Sequence, residues 1–184
     1  MKFATREQLQ RKHNLGTDRN ALKVLGEMKD YLHSRTLDGK NVYWLSSVGR
    51  ELIGAESEVK WSIQVEHHLL RGDMYLYYNC PADWFVEEPV TVTQGLSQFV
   101  VIPDATFTLD GVFHFLEVDR TQSMSDNKKK IEQYAKLNPL IHTQFNHQPI
   151  LVFYTTTPLR KEKLTSLCDS LQVKCKIYTK EDIH

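Results

Sequence analysis

The sequence predicts an α+β protein in two parts, short helices with a two-stranded ribbon first and an α/β segment with a central mixed sheet flanked by helices second. Three observations predict it. Apolar residues at helical spacing precede an Asp38-Gly39 hairpin signal in the first third. Runs rich in β-branched and aromatic residues then alternate with charged helical stretches. Between the two, GAESEVK at 54–60 turns polar, which places the division at 1–56 and 57–184.

Thr5 is the expected cap of a first helix through REQLQRKHN, with Glu7 and Gln8 in its opening turn. Leu15-Gly16 ends that helix, with Gly16 supplying a left-handed cap. Thr17 or Asp18 caps the second, whose apolar positions Ala21, Leu22, Leu25 and Met28 define the expected buried face. Arg19, Asn20 and Lys23 lie on the opposite face. LHSRTLDGKNVYWLSS follows as strand, turn and strand, and SVGRELIG as a short closing helix.

Two short helices joined by a tight turn, followed directly by a ribbon, are the order of a winged helix–turn–helix. In that arrangement the second helix enters the major groove of double-stranded DNA, and Arg19, Asn20 and Lys23 reach base edges. Gln8, Arg11 and Lys12 lie beside the backbone, and Arg35 and Lys40 flank the wing tip. A small protein-interaction domain with a solvated basic face is the competing reading. Such folds normally open with a helix ahead of the first short strand, expected here at Lys2–Ala4, and none precedes it. Either the chain is trimmed there, or a partner chain or the C-terminal part is expected to cover the exposed core face.

In the second segment a helix is expected through WSIQVEHHLLRGDMYLYY, with Ile63, His67, Leu70 and Met74 along one face. His67 and His68 read as buried or hydrogen-bonded rather than ligating. Strand-like runs are DWFVEEPVTV, LSQFVVIPDATFTL, GVFHFLEVDR and PILVFYTTT, with the helix SDNKKKIEQYAKL before the last. PLRKEKLTSLCDSLQ then reads as helix and VKCKIYT as strand.

Asp104 stands where one strand begins, and Glu117 and Asp119 share a face of its hairpin partner because side chains alternate. Acids converging in this way suit Mg²⁺ or Mn²⁺. The stretches PDA (103–105) and LEVDR (116–120), joined by a short hairpin, resemble the PD-(D/E)xK nuclease superfamily. The ordered set TREQLQ, YWLSSVGRELI, EHHLL, Trp84 to Glu88, PDA, FLEVDR and KIEQYAKL spans nearly the whole chain. It resembles the replication-relaxation family of plasmids, phages and integrative elements of Gram-positive bacteria, in which a winged helix precedes a PD-(D/E)xK-like domain.

The resemblance implies Asp104 and Glu117 as metal-binding acids, with Glu87 or Glu88 as an upstream third. Asp119 occupies the place of the superfamily lysine, a departure from the pattern. Either an acid serves there, or the lysine has moved to Lys130, which with Tyr134 forms K-x-x-x-Y, similar to the Q-x-x-x-Y of RecB-like members. Lys130 is thereby a candidate catalytic residue beside Asp104, Glu117 and Asp119. These acids also have a purely structural reading, as ion pairs with Arg120, Lys128 or Lys130.

The bulk numbers agree with an intracellular DNA-binding protein. Residues 1–56 hold ten Lys or Arg against seven Asp or Glu, net +3, which leaves −3 beyond within a formal total of zero. No apolar run approaches the ~20 residues of a membrane helix, and MKFATREQLQRKHN lacks a signal-peptide core, so the expected compartment is the cytoplasm. Cys80, Cys168 and Cys175 are odd in number and lack CxxC spacing, which argues for free thiols. The absence of P-loop, dinucleotide, zinc and serine-hydrolase motifs argues against an ATPase or an oxidoreductase.

The expected function is sequence-directed binding of double-stranded DNA in replication, relaxation or transcriptional control of a mobile element. The nuclease-like domain then serves a homodimer or contacts replication or relaxation proteins, and no cofactor is required. The alternative is a nickase dependent on Mg²⁺ or Mn²⁺ and targeted by the winged helix, with Asp104, Glu117 and Glu88 as metal ligands. A third reading is a regulator whose winged helix contacts protein.

Overall fold

A computed structural model describes residues 1–183 and shows two compact units, 1–80 and from 81 onward. In the first, strand β1 (Ala4–Thr5) leads into helix α1 (Arg6–His13), followed by α2 (Asp18–Glu27). Thr5 caps α1 through a reciprocal box: its hydroxyl accepts from Gln8 N at 3.2 Å, and Gln8 Oε1 accepts from Thr5 N at 3.0 Å. The helix ends at Asn14, in the left-handed region at φ 50°, two residues ahead of Gly16. Asn tolerates that region best after Gly, because its short polar side chain bonds locally. Thr17, not Asp18, caps α2.

Only Ala21 and Leu25 of the expected stripe on α2 are buried; Leu22 and Met28 are 53% and 40% exposed. The stripe is narrow, since i and i+4 stack on one line while Leu22 is turned about 100° away. Strands β2 (Leu32–Leu37) and β3 (Lys40–Leu45) pair antiparallel, and Leu37 faces Lys40 across a two-residue turn. Asp38 and Gly39 both have positive φ there, 48° and 76°, as the turn that matches strand twist requires. β1 takes the other edge of β3, giving the order β1-β3-β2. Helix α3 (Ser47–Leu52) follows, and Gly49 lies so close to the Tyr31 carbonyl that any Cβ would collide with it.

The expected division at 56/57 moves to 80/81, because α4 (Val65–Tyr77) belongs to the first unit. Gln8, 4% exposed, donates from Nε2 to Leu69 O at 2.8 Å and to Asp73 Oδ1 at 2.7 Å. Phe3, Val42 and Val65 form the core beneath, joined by Trp44, Trp61 and Leu69. The face beside β1 that lacked a covering helix is thus closed by one from later in the chain. The buried side of α4 is Val65, Arg71, Gly72, Met74 and Leu76; Ile63, expected inside, precedes the helix and is 88% exposed.

The second unit holds a hairpin, β4 (Val90–Gln94) with β5 (Ser97–Val101), and a four-stranded mixed sheet. Its strands β6 (Ala105–Leu109), β7 (Val112–Asp119), β8 (Ile150–Thr155) and β9 (Cys175–Tyr178) lie in sequence order. β6 and β7 are antiparallel, whereas β7, β8 and β9 run parallel. Helix α5 (Met124–Phe145) crosses from β7 to β8, α6 (Pro158–Ser170) from β8 to β9, and α7 (Lys180–Ile183) closes the order. All six residues of β8 are buried, as expected of a strand covered on both faces.

Two runs divide where the sequence suggested continuity. LSQFVVIPDATFTL breaks at 102–104 into strands of different sheets, since Pro103 has no N–H for a ladder. In DWFVEEPVTV only the part from Val90 is strand; Glu87 sits at φ 57°, and Phe85 makes an isolated bridge to Thr106. Conversely, α5 runs past Leu137 and through Pro139. Ile131, Tyr134, Leu137 and Ile141 bury one continuous stripe, and that packing outweighs the backbone bond Pro139 removes. The chain is an α+β protein with a mixed sheet, and among the described residues no helix is long and apolar enough to cross a membrane.

Candidate carboxylate–lysine site

The antiparallel register of β6 and β7 places Ala105 opposite Leu116, so Asp104 comes beside Glu117. Asp104 N donates to Leu116 O at 2.9 Å, and Asp104 Oδ2 accepts from Val118 N at 2.6 Å. This pair of bonds fixes the carboxylate at the point where β7 carries its acids. Glu117 is 2% exposed and Asp119 is 0% exposed, on one face of the strand.

Helix α5 supplies the partners at helical spacing. Asn127, Lys130 and Tyr134 stand at i, i+3 and i+7, on one side of the helix. Lys130 Nζ donates to Glu117 Oε2 at 2.6 Å, and Tyr134 OH donates to Glu117 Oε1 at 2.6 Å. Asn127 Nδ2 donates to Asp119 Oδ1 at 2.9 Å. Asp119 also accepts from Thr155 Oγ1 at 2.8 Å and from Arg160 Nε and a terminal guanidinium nitrogen at 2.7 and 2.6 Å.

The two acids titrate in opposite directions. Burial pushes Glu117 up to about 7 against the pull of Lys130, with the nearby Asp104 charge adding to the rise. Burial acts on Asp119 in the same sense, but the bonds from Arg160, Asn127 and Thr155 overcome it and hold Asp119 below the usual carboxylate range. Burial would lower Lys130, yet Glu117, Asp104 and Asp119 together carry it above its ordinary value. Tyr134 lies well above its own, through burial and then the Glu117 charge. A carboxyl that titrates near neutrality beside an ammonium can exchange a proton at physiological pH, and such perturbed groups concentrate at functional sites.

The structure brings together Asp104, Glu117 and Lys130, while Asp119 becomes the anchor of a buried Arg160 pair. A metal centre of Asp104, Glu117 and Glu88 does not form: Glu88 is exposed, and among the described residues no group of three or more His, Cys, Asp or Glu is placed to hold an ion. Both Glu117 oxygens already accept from Tyr134 and Lys130. The donor set therefore does not fit Mg²⁺ or Mn²⁺ as arranged. Arg160, forty-one positions beyond Asp119, and Thr155 on the next strand were invisible to local spacing. Asn127 was within reach of it, three residues before Lys130 on the same helical face.

In the first unit Arg19, Asn20 and Lys23 are exposed on α2, Arg11 is exposed on α1, and Lys40 is exposed at the ribbon tip. Asn20 donates from Nδ2 to Leu15 O at 2.8 Å, which commits its amide to the interhelical turn. Lys23 approaches Glu27 at 3.9 Å. Lys12 sits over the Tyr75 ring at 4.6 Å, and Arg35 over Trp61 at 4.7 Å. Gln8, expected beside the DNA backbone, is instead the buried tie to α4, because its amide completes both the α1 cap and the Asp73 contact. His68 stacks on Phe3, with centroids 5.7 Å apart, and its Nδ1 meets Arg71 at 2.7 Å.

No family model and no curated protein matches the chain. Among solved structures it is similar to protein VC1899 from Vibrio cholerae, with 13% identity and a TM-score of 0.45. The match covers 91% of this chain and 44% of that protein, so the chain spans less than half of its length.

Proposed function

We propose that the chain is a double-stranded DNA-binding protein of the replication-relaxation type, with a winged helix–turn–helix in its first unit and a PD-(D/E)xK-like fold in its second. The observation that carries the reading is on α2: Arg19, at its N-terminal end, and Lys23, at mid-helix, stand exposed, on a helix pair followed by a ribbon tipped with Lys40. A helix presented in this way fits the major groove, with the ribbon against the phosphates. The first unit carries twelve Lys or Arg against ten Asp or Glu, net +2, so the basic character is local rather than global. The second unit then serves self-association or a replication partner, with Lys130 seated where a cation would otherwise neutralise Glu117.

The test is duplex binding across a salt series. Each phosphate contact contributes a slope of about 0.9 in log affinity against log salt. Arg19→Ala with Lys23→Ala should weaken binding and relax its sequence preference, whereas Arg11→Ala with Lys40→Ala, on the phosphate side, should flatten the slope by about 2. Unchanged affinity and preference in the Arg19, Lys23 variant would mean that α2 is not the docking helix.

The alternative, a nickase dependent on Mg²⁺ or Mn²⁺, has Asp104 beside Glu117 in its favour and the occupation of both Glu117 oxygens by Lys130 and Tyr134 against it. Incubation with supercoiled plasmid and either metal, beside an Asp104→Ala, Glu117→Ala variant, decides it. The binding reading expects no nicking. Nicking by the wild type that the variant loses establishes the enzyme.

A further inference from the structure

An open groove of about 350 Å³ lies on the first unit, between the ribbon, α3 and the segment leading to α4. His33, Trp44 and Trp61 form its aromatic wall, and Arg50, Lys60 and Glu58 its polar side. Trp44 and Trp61 lie with centroids 5.3 Å apart, and His33 and Trp44 likewise at 5.3 Å. Trp44 and Trp61 pack against the core around Phe3 and Val42. Arg50 Nε is buried and, among the described residues, has no acceptor. Lys60 and Glu58 are 3.4 Å apart and largely exposed.

We propose that this groove binds an unpaired nucleotide of a single strand. Its contents answer the three parts of that ligand. An aromatic wall stacks a base, and only an unpaired base offers its face, since both faces are covered within a duplex. Arg50, half-buried in the lining of the groove, supplies a guanidinium for a phosphate, with the exposed Lys60 as a second cation. The Glu58 carboxylate repels a phosphate but accepts from an exocyclic amino group, which adenine, cytosine and guanine carry and thymine lacks. The volume lies within the range of small-ligand sites. None of Arg19, Lys23 or Lys40 lines the groove, whereas Arg35, over the Trp61 ring, adjoins both it and the ribbon.

The test uses the full chain carrying Trp84→Phe, which leaves Trp44 and Trp61 as the reporters of three tryptophans. Short single strands of dA, dC or dT, the mononucleotide dAMP and a closed hairpin duplex are titrated against its emission. The dA and dC strands should quench it, more strongly than dT. Arg50→Ala should weaken that binding by about tenfold, the scale of one charge-assisted contact, and leave the hairpin gel shift unchanged. Glu58→Gln should narrow the margin of dA over dT. Lys60→Ala, at an exposed position, gives a second reading should Arg50→Ala fail to fold. Strands that leave emission unchanged overturn the proposal, as does equal binding by Arg50→Ala and Lys60→Ala. Quenching by dAMP without the strands overturns the polymer as the source. Loss of hairpin binding with strand quenching intact counts against duplex docking and supports the groove.

Discussion

Glu117 and Asp119 stand two residues apart on one strand face, yet one is held near neutrality and the other below the carboxylate range. The difference is in the partners: a single ammonium and a phenol for Glu117, a two-pronged guanidinium plus two neutral donors for Asp119. The folded chain keeps a proton on Glu117 up to about pH 7, while the ordinary glutamate value is 4.5. Between these values the folded state binds more protons than the unfolded one, so this group makes stability fall as pH rises. Glu117→Gln should therefore gain on the wild type from about pH 4.5 to about 7 and level off above, measured by urea unfolding. A constant difference across that window would show that Glu117 is ionised throughout. For Asp119 the direction is opposite: its contribution is present above the ordinary value of 3.8 and is lost as pH falls through its lower folded value. Asp119→Ala strands the Arg160 guanidinium and should cost about 3 kcal/mol at pH 7, the low end for a broken buried pair because Arg160 retains some solvent. A loss well under 1 kcal/mol would mean the pair behaves as a surface one.

At the scale of elements, α4 shows what spacing reveals and what it leaves open. Its existence was legible from the apolar residues between Trp61 and Tyr78, but not the unit it joins. Gln8 makes that attachment, with one amide bonding both Leu69 and Asp73. Gln8→Ala removes these bonds and leaves the Asp73 carboxylate short of a donor, at a cost of about 1–3 kcal/mol. Amide exchange across α4 should rise more than across α5, and equal protection would show that apolar contacts alone hold the helix. The ribbon was fully legible, because Asp38-Gly39 is a local code that needs no distant partner. The reach of α5 through Pro139 was not, since a proline stops a helix unless burial compensates.

For the whole molecule, the boundary at 80/81 makes a direct prediction. A fragment of residues 1–80 should unfold cooperatively, because it contains α4 over β1 and α1, and on the proposed reading it should bind duplex as the full chain does. A fragment of residues 1–56 should not fold, since Phe3 and Val42 lose Val65 and Trp61 from their core. Circular dichroism melts of the two fragments decide this; two similar melts would restore the earlier boundary. The charge division acts at this scale as well, with the basic excess confined to the unit that carries α2.

The sequence by itself determined the α+β class, the capped helices of the first unit, the two-residue turn and the shared face of Glu117 and Asp119. Caps, turns and strand alternation are short-range, so a few adjacent residues specify them. Tertiary structure alone decided that Gln8 is a buried tie and that Arg160 claims Asp119, and it selected Lys130 among the expected cations as the partner of Glu117. Those outcomes depend on which surfaces meet across dozens of residues. A carboxylate's role follows from the donors and the burial it meets there, which no local pattern encodes.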